Sequence, residues 1–218
     1  MADARSVKRF YRQATASPRQ SPAGEAENGA GHRILLDGRP VWTPGREPLI
    51  VPTQALADEI AAEWDAQGER VDPRTMPLTG LANASIDRVA PDPEAFARGL
   101  AAYGEADLLC YRAEAPASLV AAQAEHWDPL LGWARRRFGV DFEIVSGIMH
   151  RPQPRATVEQ LAHAAAARSA FELAALAPLV TIGGSLIIGL ALADEAIDPD
   201  SAWAAATVDE TYQARHWG

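Results

Sequence analysis

The sequence predicts an α+β fold: a small α/β N-terminal domain of short strands and two helices, then an all-helical orthogonal-bundle C-terminal domain. Three observations predict it. Strand-length apolar runs punctuated by turn residues are confined to the first quarter of the chain. Beyond APDP at 90–93 the apolar positions recur almost wholly at helical spacing. At 218 residues the chain has room for one to two domains at roughly 150 residues each, and for a core that needs no disulfide or metal. The expected domains are 1–91 and 92–218.

The elements follow in order. RFYRQATA at 9–16 reads as a short strand, and SPRQSPAGEAENGAG at 17–31 as a loop or disordered insert, being rich in Pro, Gly, Ser and Ala with no apolar period. Residues 32–36 and 39–43 are strands around Asp37-Gly38, a pair that supplies the positive φ of a two-residue hairpin turn. A third apolar run covers 49–51. Thr53 caps a helix with Leu56, Ala57, Ile60, Ala61 and Trp64 on one face and an end marked by Gly68. Met76-Pro77 opens a second helix to about Val89, since proline is harmless in a first turn. Further helices are expected at 95–103, 117–138, 157–176 and 201–212, with breaks at Gly104, Pro129 and Pro178. Residues 108–111 and 142–145 suit brief extended connectors.

LAALAPLVTIGGSLIIGLALA at 173–193 carries no charge and has about the ~20 residues that cross a bilayer. Pro178 and Gly183-Gly184 interrupt it, no basic cluster flanks it, and Asp194-Glu195 crowd one end. A helix enclosed by its neighbours is therefore expected, with Gly183, Gly184 and Ser185 permitting close approach, and no stable membrane insertion.

Composition excludes several functions. Hydrophobic residues at 48% and charged residues at 22% are those of a folded globular chain. Lys+Arg of 20 against Asp+Glu of 29 gives −9, the wrong sign for a general nucleic-acid surface and the right one for basic partners. One cysteine, Cys110, excludes an internal disulfide and any cysteine-built metal site, as suits a reducing cytoplasm. Residues 1–7 lack the apolar stretch of a signal peptide, so export is not expected.

Catalytic motifs are missing too. Gly183-Gly184-Ser185 lacks the context of a nucleophile elbow, and neither common phosphate-cradling glycine loop occurs. His32, His126, His150, His163 and His216 form no metal-binding spacing. Cys110, between apolar residues in LLCYR, suits a buried thiol, although a small cytosolic hydrolase using it or a carboxylate pair is the alternative of another class. A membrane-associated adaptor built on 173–193 is a third reading. Two acidic groups remain: Glu63-Trp64-Asp65 with Gln67, and Asp209-Glu210 with Asp194, Glu195, Asp198 and Asp200 upstream and no basic residue between. Each is either a solvated helix face or a docking surface for a basic partner.

Several stretches together resemble one family: KRFY at 8–11, LLDGRPVWTP at 35–44, LADEIAAEWDAQ at 56–67, DPRTMPLTGLANASID at 72–87, DLLCYRAEAP at 107–116, WDPLLGW at 127–133 and VDETYQARHWG at 208–218. They are similar to the F(1)-type ATP synthase assembly chaperones that bind the alpha subunit (mitochondrial F(1) complex assembly factor 2 type), and the likeness spans nearly the whole chain. It implies a bacterial, cytoplasmic, monomeric, non-enzymatic chaperone with no cofactor, which masks the beta-subunit interface of an unassembled alpha subunit. It also implies partner-binding positions at Glu63, Trp64, Asp65, Gln67, Asp209 and Glu210. Of these, Trp64 is expected to anchor its helix in the core, and Glu210 to be the working carboxylate. The insert at 17–31 is longer and more polar than the family's usual turn.

Overall fold

A twisted antiparallel sheet backed by one helix organises the first part of the chain. The computed structural model describes residues 7–18, 31–147, 149 and 151–217, and divides into two compact units, Met1–Pro91 and Asp92–Gly218. In the first, β1 (Ala14–Pro18) pairs antiparallel with β2 (His32–Leu36) in the register Ala14↔Leu36. β3 (Arg39–Pro40) returns through the Asp37-Gly38 turn, where φ is 48° and 79°. Two successive positive φ angles are what the right-handed twist of a two-residue hairpin requires. β4 (Ile50–Val51) pairs with the start of β2.

The first strand begins later than the sequence suggests. Residues 7–11 are occupied elsewhere: Arg9 N–H donates to Glu69 O at 2.8 Å and Val71 N–H to Val7 O at 2.8 Å. Of the expected insert, residues 19–30 lie outside the described residues, whereas Ser17 and Pro18 belong to β1.

α1 (Gln54–Asp65) starts where Thr53 accepts from Leu56 N–H and lays Ala57, Ile60 and Ala61 against β1 and β2. It ends at Asp65, a turn short of Gly68. α2 (Pro77–Ala84) opens on its proline and runs into a wider turn over Ser85–Val89. Tyr11, Ala14, Leu36, Ala61, Val71 and Met76 fill the space between helix and sheet, with Trp64 and Val41 packed on them.

The second unit is helical: α3 (Pro93–Ala101), α4 (Ala117–Phe138), α5 (Arg155–Ala166), α6 (Ala170–Gly183), α7 (Leu186–Ala193), α8 (Pro199–Ala206) and α9 (Val208–Trp217). Of the two connectors expected to be extended, 108–111 is instead a tight turn over Leu108–Cys110 up to its last residue, and only Tyr111 and Val145 of the expected stretches enter a short parallel pair, β5 (Tyr111–Arg112) and β6 (Val145–Ser146).

Several helix boundaries differ from expectation, each for a local reason. α4 runs straight through Pro129 and stops at Gly139, whose φ of 67° closes it. The run expected as one helix over 157–176 breaks near Arg168, because Ser169 and Glu172 form a reciprocal capping box that starts α6 afresh. α6 continues through Pro178 and ends at Gly184, φ 64°. The helix expected at 201–212 divides at Thr207 into α8 and α9.

The uncharged run 173–193 is thus two helices. α7 is wrapped by α4, α6 and α8, with Leu186, Ile187 and Leu190 fully buried. At ~1.5–3 kcal/mol for each such side chain, this helix is a main source of the unit's stability. Within this run the glycine that permits the tightest packing is Gly189, where a Cβ would fall 2.8 Å from Val180 and 2.9 Å from Leu176. Gly183 leaves ordinary room, and Gly184 is required for its positive φ. Among the described residues no helix is long and apolar enough to cross a membrane.

Candidate functional site

Of the six candidate residues, five are engaged within their own unit and Glu210 is left to solvent. Glu63, in the last turn of α1, turns its carboxylate onto the start of α2: Leu78 N–H donates at 2.7 Å, Thr79 N–H at 2.8 Å and the Thr79 hydroxyl at 2.7 Å. With Met76 at its N-cap position α2 has no side-chain cap of its own, and Glu63 satisfies donors that would otherwise be orphaned. Gln67 is buried; its amide donates to Glu63 O and to Thr75 Oγ1 and accepts from Asp72 N–H. Asp65 accepts from Ala14 N–H at 2.7 Å and lies 3.6 Å from the Arg9 guanidinium.

Trp64 is half-buried and packs edge-on against Tyr11 with ring centres 5.6 Å apart, while its carbonyl accepts from the Tyr11 hydroxyl at 2.6 Å. The EWDAQ motif therefore ties α1 to β1, to the chain before it and to α2. Its carboxylates and the Gln67 amide are spent inside the unit, while the Trp64 indole N–H is buried without an acceptor among the described residues.

At the other end of the chain the pair separates. Asp209, in the first turn of α9, accepts from buried Gln123 of α4 at 2.7 Å, and Gln123 in turn accepts from Ala113 N–H. With Trp127 Nε1–H donating to Ala205 O at 2.8 Å, this fixes α8 and α9 on α4. Glu210, one residue on, is exposed and makes no hydrogen bond or ion pair among the described residues.

Glu210 stands at the edge of a cleft of about 590 Å³ formed by α6, α7 and α8. Pro178, Leu179, Ile182, Ile188, Leu192, Ala202, Trp203 and Ala206 line it, and among the described residues Glu210 is its one charged residue. Ile182 is 77% exposed and Trp203 65%, unusually open for side chains of that size. A second recess of about 160 Å³ meets it at Ile182, Gly183 and Ala206, with Asp209 and Glu210 among its walls. Such a surface offers apolar area to a partner and a lone carboxylate to a cation.

The upstream acids have other roles. Asp198 caps α8 through Ser201 N–H at 2.7 Å. Asp194 is paired with Arg168 and, at 2.9 Å, with Arg137. Burial opposes its ionisation, but the two guanidiniums hold its carboxyl below the usual range. The sequence placed Asp194 in an acidic surface; the structure makes it an internal ion-pair centre, because the turn after α7 faces the ends of α4 and α5.

The catalytic alternative gains nothing from the site. Cys110 is buried, and burial, then the neighbouring Asp107 charge, pushes its thiol up to about 12, far from a thiolate. Asp107 is itself fully buried and accepts from Ser185 Oγ at 2.7 Å, Ile187 N–H at 3.1 Å and Leu109 N–H at 3.2 Å, binding the start of α7 to the turn over Leu108–Cys110. Among the described residues no group of three or more His, Cys, Asp or Glu could hold a metal ion.

Exposed Ile182 and Trp203 escaped the sequence reading. For Ile182, within an uncharged run every residue looks like core, and only the helical spacing of Leu179 and Ile182, set against buried Val180 and Gly183, could have shown an outward face; Trp203 lies outside that run, among the alanines of α8.

Comparison with known proteins covers nearly the whole chain. The model of the ATP12 chaperone protein family matches residues 8–135. The crystal structure of Atp12 from Paracoccus denitrificans is 43% identical over 97% of this chain and 87% of its own, with a TM-score of 0.89. A point mutant of Paracoccus denitrificans Atp12p is similar at 42% identity over the same shares and the same TM-score. The Atu1473 protein of Agrobacterium tumefaciens matches at 42% identity over 97% of this chain and 76% of its own, with a TM-score of 0.87.

Proposed function

The chain belongs to the ATP12 chaperone protein family, and on that premise we propose that it is an assembly chaperone for the unassembled alpha subunit of F(1) ATP synthase. It acts by stoichiometric binding as a cytoplasmic monomer: it covers the alpha surface destined for the beta subunit, prevents aggregation, and yields when beta arrives. No covalent step belongs to it.

The observation that carries this reading is the apolar cleft between α6, α7 and α8 with Glu210 on its edge. A subunit interface awaiting its partner is apolar and aggregates when bare. A cleft holding Ile182 and Trp203 open to solvent offers the complementary surface, and aromatic residues of this kind dominate binding energy. Glu210 adds orientation and association rate more than permanence, which suits a partner that must be displaced.

The test is co-incubation with purified alpha subunit. At equimolar ratio the chaperone should suppress the light scattering of alpha. Glu210→Lys should weaken that protection and leave the chaperone's own unfolding transition in place. Undiminished scattering with the unaltered chain would sink the proposal.

A further inference from the structure

The N-terminal unit holds a second open concavity that the cleft of the helical unit does not explain. It is about 600 Å³ in volume, and four aromatic residues, Phe10, Tyr11, Trp42 and Trp64, line it together with Leu36 and Val41. Phe10 is 69% exposed and Trp42 57%. Single exposed aromatics are ordinary, but two across one concavity are not.

Both are also held firmly from behind. Phe10 lies between residues that cannot drift. Arg9 donates to the carbonyls of Tyr11, Arg12, Asp65 and Gln67, and Tyr11 is hydrogen-bonded to Trp64. Trp42 precedes a loop fastened by Asp87, which accepts from Thr43 Oγ1 at 2.5 Å and Gly45 N–H at 2.8 Å. That loop packs closely on the carboxylate, since a Cβ on Gly45 would lie 2.6 Å from Asp87. The EWDAQ motif and Asp87 thus brace a rigid aromatic surface. Rigid aromatics lose little conformational entropy on binding, so their area converts efficiently into affinity.

The charge at the edge indicates the occupant. Asp37 lines the concavity, but its two oxygens already accept from Arg12 N–H and Gln13 N–H. The guanidiniums of Arg12 and Arg39 both act on that carboxylate as well, so its charge is already engaged. Arg39 lines the concavity, is exposed, and forms no ion pair among the described residues.

We infer that this concavity is a separate docking site for an extended polypeptide segment that carries a large apolar side chain next to a carboxylate. The apolar side chain lodges between Phe10 and Trp42, and the carboxylate meets Arg39. Its charge preference is opposite to that of the Glu210 cleft.

The experiment uses the full chain labelled with nitrogen-15 and two synthetic peptides: one with a central Phe flanked by Glu, the other with Lys in place of each Glu. The indole N–H signal of Trp42, identified by its loss in Trp42→Phe, is followed during titration. The acidic peptide should shift it saturably and bind about tenfold or more tightly than the basic one, a difference of ~1.4 kcal/mol. Arg39→Glu should reverse the order, Phe10→Ala should weaken both, and Glu210→Lys should leave both unchanged. A missing saturable shift, equal binding of the two peptides, or indifference to Arg39→Glu would each overturn the inference. Because alpha subunit is not used, failure here leaves the proposed client standing, and failure with alpha leaves this site standing.

Discussion

The end of α1 and the start of α9 both present adjacent acidic residues on a helix, and the two are used in opposite ways. Glu63, Asp65 and Gln67 turn inward, and each satisfies backbone amides or polar groups of another element. Asp209 does the same for α4, but Glu210 is left to solvent at the edge of an apolar cleft. A buried donor without an acceptor costs a full desolvation penalty, whereas an exposed carboxylate costs almost nothing. The dense, distinctive motif is therefore engaged in the fold, and the carboxylate proposed for docking is the plain one. The distinction can be broken by measuring stability and client protection separately for each carboxylate.

The largest effect is expected at Glu63. Glu63→Ala removes the only side chain that caps α2 and strands Leu78 N–H and Thr79 N–H. About 3–4 kcal/mol of stability should be lost, combining charge-assisted bonds with the cost of unmet donors. Glu63→Gln, which keeps one acceptor, should lose about half of that. Urea unfolding read by fluorescence checks it. A loss below about 1 kcal/mol would mean that the motif is not the brace described here.

Next comes a carboxylate buried deeper than either pair. Burial raises the pKa of Asp107 from 3.8 to about 6, against the lowering effect of the Ser185 hydroxyl and the amides of Ile187 and Leu109. The folded chain then holds this proton more tightly than the unfolded one. The stability linked to it is fully present below pH ~4 and is lost as pH rises through about 6, in total about 3 kcal/mol. Asp107→Asn should flatten the fall in urea midpoint between pH 4 and pH 7. An identical slope in the variant would refute the assignment. This buried carboxylate gauges the comparison, since one unit contains an acid fixed by burial and another offered to solvent.

Much of this was legible in the sequence, and the gaps have physical causes. Thr53, Asp37-Gly38 and Met76-Pro77 act within a few residues of themselves, so the elements they start were readable. The Ser169–Glu172 box was equally local and was overlooked, because apolar periodicity runs across it without a break. Proline misled at Pro129 and Pro178, where tertiary packing carries the helix through. The site was less legible. Gln123 and Asp209 are 86 positions apart, and no local pattern tells that Asp209 is engaged while Glu210 is free. Ile182 and Trp203 gained meaning only once α6 and α8 lay side by side.

A smaller effect should separate the C-terminal pair itself. Asp209→Ala leaves the buried Gln123 amide without its acceptor and should cost about 1–2 kcal/mol. The damage should be confined to the helical unit, where hydrogen exchange would show earlier opening of α9 and the C-terminal part of α4. Client protection should fall only as far as that loosening carries it, and Asp209→Asn, which restores an acceptor oxygen, should recover most of both.

The smallest stability effect is expected at Glu210. It touches no other charged group among the described residues and is open to solvent, so Glu210→Lys should change unfolding by no more than about 0.5 kcal/mol. The same change places a cation where the cleft offers its only anion among the described residues. Protection of alpha subunit should weaken most at low salt and converge on Glu210→Gln as ionic strength rises, because exposed charges are screened beyond about 10 Å at 0.1 M. If Glu210→Lys and Asp209→Ala lose stability and protection in the same proportion, the contrast between the inward and outward carboxylate fails. If Glu210→Lys alone separates the two quantities, the carboxylate works on the client and not on the fold.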